Sequence, residues 1–193
     1  MAIHNSPASM LKESLDETLE AARYCATYKK TDSKWGEFNT RGCLGYPSAI
    51  LLFSLIDSLG SYFRKDKSFK ILIDGNEETI NATGWEHFKI LNSKYFNQNL
   101  PKAFIQTLYN SYRSKLTHNS VLGKDVHMIP DNNTFKDLSD ANSAFISETD
   151  STGKTYYLIS IMELFYLCEI AVREFKKDID DVVPNSKAGS KFV

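Results

Sequence analysis

One stretch in the first half of the chain is so apolar that it constrains the whole fold. Pro47 opens this stretch, and ten of the fifteen residues from Ala49 to Phe63 are apolar, which leaves only a narrow polar face. A helix without a wide polar face belongs in the interior, so this one is predicted to lie in the middle of a bundle of helices. Asp57 interrupts the apolar run, and a buried carboxylate is costly unless a partner satisfies it. We therefore predict that Asp57 ties this helix to a neighbouring one.

Apolar periodicity and helix-start residues predict four further helices around the apolar one. The first of them begins at Ser6 and Pro7, which suit an N-cap and the first helical position, and it ends near Tyr28. The others are predicted from Thr83 to about Phe96, from Asn99 to between His118 and Ser120, and from Ser160 to near Lys177.

The predicted fold class follows from these elements. Residues 144–147 and 155–159 flank a turn-forming segment and predict a β-hairpin, whereas the polar region before them is interpreted as loop. The chain is therefore predicted to be all-α, a bundle of about five helices with a small β-hairpin insert before the last helix. We expect one domain over residues 1–184 and a disordered tail over residues 185–193. Residues 29–45 are interpreted as an ordered loop, to which no role is assigned.

Charge and cysteine content exclude several classes of function. A formal net charge of −1 argues against binding long duplex nucleic acid by bulk electrostatics, although it allows a local basic site. Cys25, Cys43 and Cys168 lack CxxC spacing and indicate neither a disulfide framework nor a zinc site. His127 with nearby Asp125 offers only two metal ligands. Without a charged leader or an apolar run of membrane length, we expect a cytoplasmic protein with no metal or cofactor and no membrane partner.

A basic run follows the apolar helix directly. Such a run is usually the solvated end of a helix, but it also creates a local positive patch on a chain of near-neutral charge. Its members are Arg64, Lys65, Lys67 and Lys70, which surround the single acid Asp66.

Arg113 and His118, near the end of the predicted fourth helix, are the main candidates for chemistry. The stretch from Tyr109 to Asn119 that carries them resembles the HEPN superfamily, the higher eukaryote and prokaryote nucleotide-binding domains. Members are bundles of four or more helices with an Arg-x4–6-His element near the end of a late helix. The Ile-Asp-Ser-Leu-Gly segment at residues 56–60 is also similar to one found in bacterial members. The resemblance extends from the second helix through the last.

The resemblance implies metal-independent cleavage of RNA in a defence or stress setting. His118 would remove or return the proton of the ribose 2′-OH, and Arg113 would steady the charged phosphate. Imidazole exchanges protons near neutral pH, and a guanidinium offers a planar fork to phosphate oxygens. The implied partners are single-stranded RNA or a nucleotide, a second copy of the chain, and an antitoxin-type protein.

Helix geometry makes a dimer site the natural arrangement for this pair. Residues five apart on an ideal helix are rotated by about 140°, so Arg113 and His118 lie on opposite sides of the apolar stripe. A two-fold axis could then bring Arg113 of one chain to His118 of the other. The predicted substrate contacts comprise Ser114, Asn119, and Tyr109 and Tyr112, whose rings could stack an unpaired base.

Alternatives to this interpretation remain open. Tyrosines at this spacing are more often core residues, Arg113 could form a salt bridge to a neighbouring helix, and His118 could favour the dipole at a helix C-terminus. Members of the superfamily usually have Asn, Asp or His directly after the arginine, where this chain has Ser114. A non-catalytic nucleotide-binding, RNA-binding or protein-interaction module is therefore the alternative function, and a purely structural domain is a third. His4 and His87 carry no recognisable signal.

Overall fold

Three long helices form the framework of the structure, a computed structural model that describes residues 4–38, 42–131, 143–187 and 189. They are α1 (Pro7–Thr27), α2 (Gly45–Tyr62) and α5 (Ile161–Asn185), and each packs against the other two. α1 begins as predicted, because the Ser6 hydroxyl accepts a hydrogen bond from the Ser9 amide at 3.1 Å and Pro7 occupies the first turn.

The predicted central position of α2 is confirmed. Its Leu52, Phe53, Ile56 and Leu59 side chains are completely buried, covered by α1, α5 and a 3₁₀ helix at Gly84–Asn92. Full burial of each such side chain stabilises the fold by roughly 1.5–3 kcal/mol relative to exposure. The core therefore holds α2 firmly, and any polar side chain on its remaining open face is held firmly with it.

The all-α prediction is wrong, because the structure is mixed α/β and contains two sheets. Strands β1 (Ile71–Ile73) and β2 (Asn76–Glu78) form an antiparallel pair, and their turn uses positive φ angles at Asp74 and Gly75. The second sheet has the order β3-β5-β4, with β3 at Val126–Ile129, β4 at Phe145–Thr149 and β5 at Thr155–Ser160.

The second sheet shows why the fold class was missed. β4 and β5 form the predicted antiparallel hairpin. β3 lies in the region interpreted as loop, and it pairs in parallel with β5, matching Val126 to Tyr157 and Ile129 to Ser160. A four-residue strand whose partner is distant in sequence has neither the length nor the adjacent turn that identify a hairpin strand. What was predicted as a small insert is thus a three-stranded sheet.

The predicted third and fourth helices are present, but not as regular α-helices. The third is the 3₁₀ helix Gly84–Asn92. The fourth is one helical run of three parts: α3 (Lys102–Thr107), a π-helix (Leu108–Ser114) and α4 (Lys115–Asn119). It ends where predicted, at Ser120 with a left-handed φ of 55°. Arg113 thus lies in a π-helix, an irregularity that is often found at functional sites.

The loop over residues 29–45 and the C-terminal tail are described in part. A 3₁₀ helix covers Ser33–Phe38, and residues 39–41 lie outside the described residues. α5 continues past Lys177 to Asn185, where the predicted tail would begin. Ser186 is buried, and its hydroxyl accepts a hydrogen bond from the Gly189 amide at 2.8 Å. Residues 188 and 190–193 also lie outside the described residues.

Candidate functional site

Asp57 is the centre of a polar cluster that joins three elements. Its Oδ1 lies 2.7 Å from Nδ1 of His87, and its Oδ2 lies 2.6 Å from Nη2 of Arg113. α2 supplies the carboxylate, the 3₁₀ helix supplies the imidazole, and the π-helix supplies the guanidinium. The prediction that Asp57 is satisfied by tying α2 to neighbouring helices is confirmed. We call these three side chains the Asp57 cluster.

Gly60, one turn after Asp57, allows His87 to reach this position. A Cβ at Gly60 would lie 2.1 Å from the backbone oxygen of His87, which is far inside van der Waals contact. Only a glycine therefore lets the 3₁₀ helix approach α2 this closely. The Ile-Asp-Ser-Leu-Gly segment thus positions His87 in two ways. Its Asp57 carboxylate binds the imidazole, and its Gly60 leaves room for the His87 backbone.

Arg113 is held from several sides but keeps an open face. Its guanidinium carbon lies 5.6 Å from the centre of the Tyr109 ring, a cation–π distance. The Tyr109 ring in turn packs edge-on against Phe88 in the core, with ring centres 5.5 Å apart. The arginine side chain is 22% exposed. Its Nε is buried and has no hydrogen-bond partner. Tyr109, predicted as a base-stacking residue, therefore serves as a platform for Arg113.

The Asp57 cluster lines a shallow surface depression of about 310 Å³. The remaining lining residues are Ser54, Ser58 and Ser61, which follow one face of α2. The floor combines a guanidinium, an imidazole and hydroxyl groups around one carboxylate, so it can both donate and accept hydrogen bonds. His87 is 8% exposed, and its buried Nε2 has no hydrogen-bond partner. The site is therefore polar and preorganised.

Sequence reasoning missed the contribution of His87 and of the three serines. The signal for the serines was present, because Ser54, Asp57, Ser58 and Ser61 recur at steps of three and four and form one polar stripe on an otherwise apolar helix. His87 had no comparable local pattern. A carboxylate in the apolar α2 needs a hydrogen-bonding partner, but nothing in the sequence identified His87 as the partner of Asp57.

His118 lies apart from the Asp57 cluster within one chain. Its side chain is exposed in the last turn of α4, where a positively charged imidazole would interact favourably with the negative end of the helix dipole. Within the described part of the chain, no hydrogen bond links it to Arg113. Asn119, predicted as a substrate contact, is likewise exposed, and Ser114 is half-buried. The structure therefore brings Arg113 to Asp57 and leaves His118 and Asn119 free at the surface.

Tyr112 was expected to contact substrate and instead belongs to the core. Its side chain is completely buried, and its hydroxyl donates to the backbone oxygens of His127 at 3.1 Å and Tyr157 at 2.7 Å. Burial raises the pKa of Tyr112 far above its ordinary value. A ring enclosed on all sides cannot stack a base. Tyr112 instead fastens the π-helix to β3 and β5, which fixes the position of Arg113 beside it.

Asp125 and His127, the two candidate metal ligands, do not form a metal site with other described residues. Asp125 forms an ion pair with Lys154 at 2.6 Å, so it is engaged without His127. Across the described ranges, no three His, Cys, Asp or Glu side chains gather closely enough to hold a metal ion. In the same part of the chain, none of the helices combines the length and apolar character needed to cross a membrane.

Comparison with known proteins adds no assignment to this geometry. No protein-family model matches the chain, and neither the curated proteins nor the solved structures contain a significant match.

Proposed function

We propose that this protein is a metal-independent endoribonuclease that acts on single-stranded RNA with Arg113 and His118, in the manner of HEPN-type proteins. The observation that carries the proposal is the placement of Arg113. Its guanidinium is fixed by Asp57 at 2.6 Å on the wall of an open depression, with His118 exposed five residues later in the same helical run. A preorganised cation and a solvent-accessible imidazole are the two groups that this reaction needs.

The chemistry assigns one step to each side chain. The His118 imidazole removes the proton of a ribose 2′-OH, and the resulting oxygen attacks the adjacent phosphorus. The bond from phosphorus to the 5′-oxygen then breaks, leaving a 2′,3′-cyclic phosphate, and an imidazolium returns a proton to the departing 5′-oxygen. Arg113 stabilises the negative charge that develops on the phosphate oxygens. Asp57 is a positioning residue, because it touches Arg113 and not the reacting atoms.

A second copy of the chain completes this site in the proposal. Five residues of ideal helix span about 7.5 Å along the axis and a large rotation, which separates Arg113 from His118 of the same chain. A two-fold axis beside α4 would place Arg113 of one protomer near His118 of its partner. The exposure of both His118 and Asn119 leaves this end of the helical run available for such a contact.

A non-catalytic RNA-binding or nucleotide-binding module is the second candidate. The ion pair between Asp57 and Arg113 favours it, because a guanidinium already neutralised by a carboxylate attracts a phosphate less strongly. Ser114, which follows the arginine, also supplies only a hydroxyl at the position where HEPN-type proteins usually have Asn, Asp or His. Such a module would bind RNA at the same depression and leave it intact.

The two functions are separated by incubating the protein with single-stranded RNA in EDTA. We expect cleavage by the wild type and a loss of about a hundredfold or more in Arg113→Lys and His118→Ala. Arg113→Lys keeps the positive charge beside Asp57 but lacks the planar fork. Lys115→Ala and His127→Ala are matched controls on exposed residues and should cleave normally. Intact RNA with the wild type, or equal cleavage by all variants, would rule out the enzyme.

Mixing the two inactive variants tests the composite site directly. If each site takes Arg113 from one protomer and His118 from the other, a mixed dimer of Arg113→Lys and His118→Ala contains one complete site. After subunit exchange, the mixture should regain about a quarter of wild-type activity, because half the dimers are mixed and half their sites are intact. A site built within one chain regains nothing.

A further inference from the structure

A second concave surface lies beyond the C-terminal end of α2, away from Arg113. It is a groove of about 840 Å³ between the loop that follows α2 and the last turns of α5. Residues 62–68 form one wall, and residues 181–187 contribute the other. We call it the basic groove, because its first wall contains Arg64, Lys65 and Lys67.

The cations of the first wall lack the acidic partners that most other cations have. Lys94 pairs with Asp178, Lys102 with Glu78, and Lys176 with Asp16. Within the described ranges, by contrast, no carboxylate lies at ion-pair distance from Arg64, Lys65 or Lys67. The Nε of Arg64 is moreover buried without a hydrogen-bond partner. A buried donor of this kind is costly to leave unpaired, and no acceptor among the described residues satisfies it.

The loop that carries these cations is fixed in shape. Lys65 adopts a left-handed φ of 67°, and its amide donates to the Ile80 oxygen at 2.7 Å. The Asp66 carboxylate accepts bonds from the amide and the hydroxyl of Ser68, at 2.8 and 2.6 Å. A non-glycine residue with positive φ is unfavourable unless its surroundings hold it there. The cations are therefore presented in a set arrangement.

Charge in the basic groove is positive overall. Among the residues that the structure describes, its lining contains the cations Arg64, Lys65, Lys67 and Lys187 and the carboxylates Asp66 and Asp181. Asp66 is already engaged by Ser68, so its charge is directed to the loop. On a chain with a net charge of −1, this is a local concentration of positive charge. An open groove with this charge fits a polyanion better than a neutral ligand.

The polar stripe on α2 connects the basic groove with the depression around Arg113. Ser54, Asp57, Ser58 and Ser61 line the depression, and Tyr62, the next residue and the last of α2, lines the basic groove. Asp57 and Tyr62 are thus separated by about 7.5 Å along the axis of α2. A single strand of nucleic acid can span both surfaces.

We propose that the basic groove binds backbone phosphates of single-stranded RNA on one side of the phosphodiester placed at Arg113. The inference rests on the proposed function, since it assigns the groove to the same RNA. Contacts to phosphates hold the strand in register without reading its bases. The basic groove would therefore determine how many nucleotides the RNA needs on one side of the phosphodiester that is cleaved.

The test measures binding separately from cleavage. A short fluorescent RNA oligonucleotide with 2′-O-methyl groups has no 2′-OH to deprotonate, so its anisotropy reports binding alone. The double variant Arg64→Gln/Lys67→Gln should bind it about tenfold more weakly at low salt, with a salt dependence reduced by about one to two phosphate contacts. Lys29→Gln/Lys124→Gln removes the same charge from exposed side chains elsewhere and should bind within about twofold of the wild type.

The outcomes separate failure of the groove from failure of the nuclease. If RNA binding weakens equally in both double variants, or does not weaken in the groove variant, the proposed role of the basic groove is overturned even if the wild type cleaves RNA. Weakening confined to the groove variant supports it even if no RNA is cleaved. Poly-glutamate that competes as well as RNA would assign the groove to an acidic protein instead. Matching unfolding midpoints show that all variants are folded.

Discussion

The two concave surfaces that adjoin at the C-terminal end of α2 differ in how their charged side chains are paired. At the Asp57 cluster, one carboxylate is shared by His87 and Arg113, and all three side chains are mostly buried. In the basic groove, three cations stand on a loop, and no carboxylate in the described part of the chain forms an ion pair with them. An ion pair stabilises the fold and orients its side chains, whereas neighbouring unpaired cations repel one another until a bound anion offsets their charge. The first surface is thus built for position and the second for attraction.

The close approach of Gly60 to the His87 backbone should give the largest effect on stability when it is disturbed. In Gly60→Ala, the new methyl group would meet the His87 carbonyl oxygen at 2.1 Å. Because this obstacle is backbone, α2 and the 3₁₀ helix must move apart, and we expect a loss of about 3 kcal/mol in the free energy of unfolding. Urea denaturation measures it. Gly45→Ala, in the same helix but with its nearest neighbour at 3.7 Å, should change stability little.

Removing the shared charge should have the next largest effect. Asp57→Asn keeps the shape of the side chain but leaves the Arg113 guanidinium without its counter-charge, and we expect a loss of about 2 kcal/mol. Chemical denaturation monitored by circular dichroism measures the change. Asp16→Asn, which breaks the exposed ion pair with Lys176, is the matched control and should have no measurable effect. Equal losses in both would mean that the Asp57 cluster is an ordinary surface contact.

The smallest expected effect concerns the acid inside the basic groove. Hydrogen bonds from Ser68 hold the pKa of Asp66 below its usual value. Because the folded pKa is depressed, the stability from these bonds is complete above the ordinary aspartate range near about pH 4 and is lost as pH falls through the folded pKa. In Ser68→Ala, the pKa of Asp66 should rise toward its usual value in a carbon-13 NMR titration. Asp150, whose pKa is lowered by Thr152, should titrate unchanged in the same sample.

Local pattern was enough to predict the parts of the fold that depend on neighbours in sequence. The apolar run of α2 required a central helix, Ser6 and Pro7 marked the start of α1, and the turn between β4 and β5 identified a hairpin. β3 could not be found in this way, since its parallel partner β5 lies across a long connection. The same reason explains His87, which meets Asp57 from thirty positions away.

For the candidate site, residue type was predictable and environment was not. Arg113 and Asp57 were both singled out, yet nothing in the sequence linked them, because their contact depends on how the π-helix packs against α2. Tyr109 and Tyr112 are three residues apart, but one is a half-buried support for Arg113 and the other is enclosed by two strands. The burial of Tyr112 depends on the neighbouring sheet, whose strand β3 was missing from the prediction.

The π-helix has a consequence for how this chain should be aligned with others. A π-helix commonly arises as a one-residue insertion within an α-helix, and it widens one turn without breaking the run. A related chain lacking that residue would form an ordinary helix, and everything after the missing position would swing by about 100° around the axis. Its arginine could occupy the same column of an alignment and yet point away from the counterpart of Asp57. Relatives of this protein are therefore better sought by requiring the aspartate, the glycine three residues later and the arginine together, with the position of the arginine along its own helical run allowed to vary by one residue.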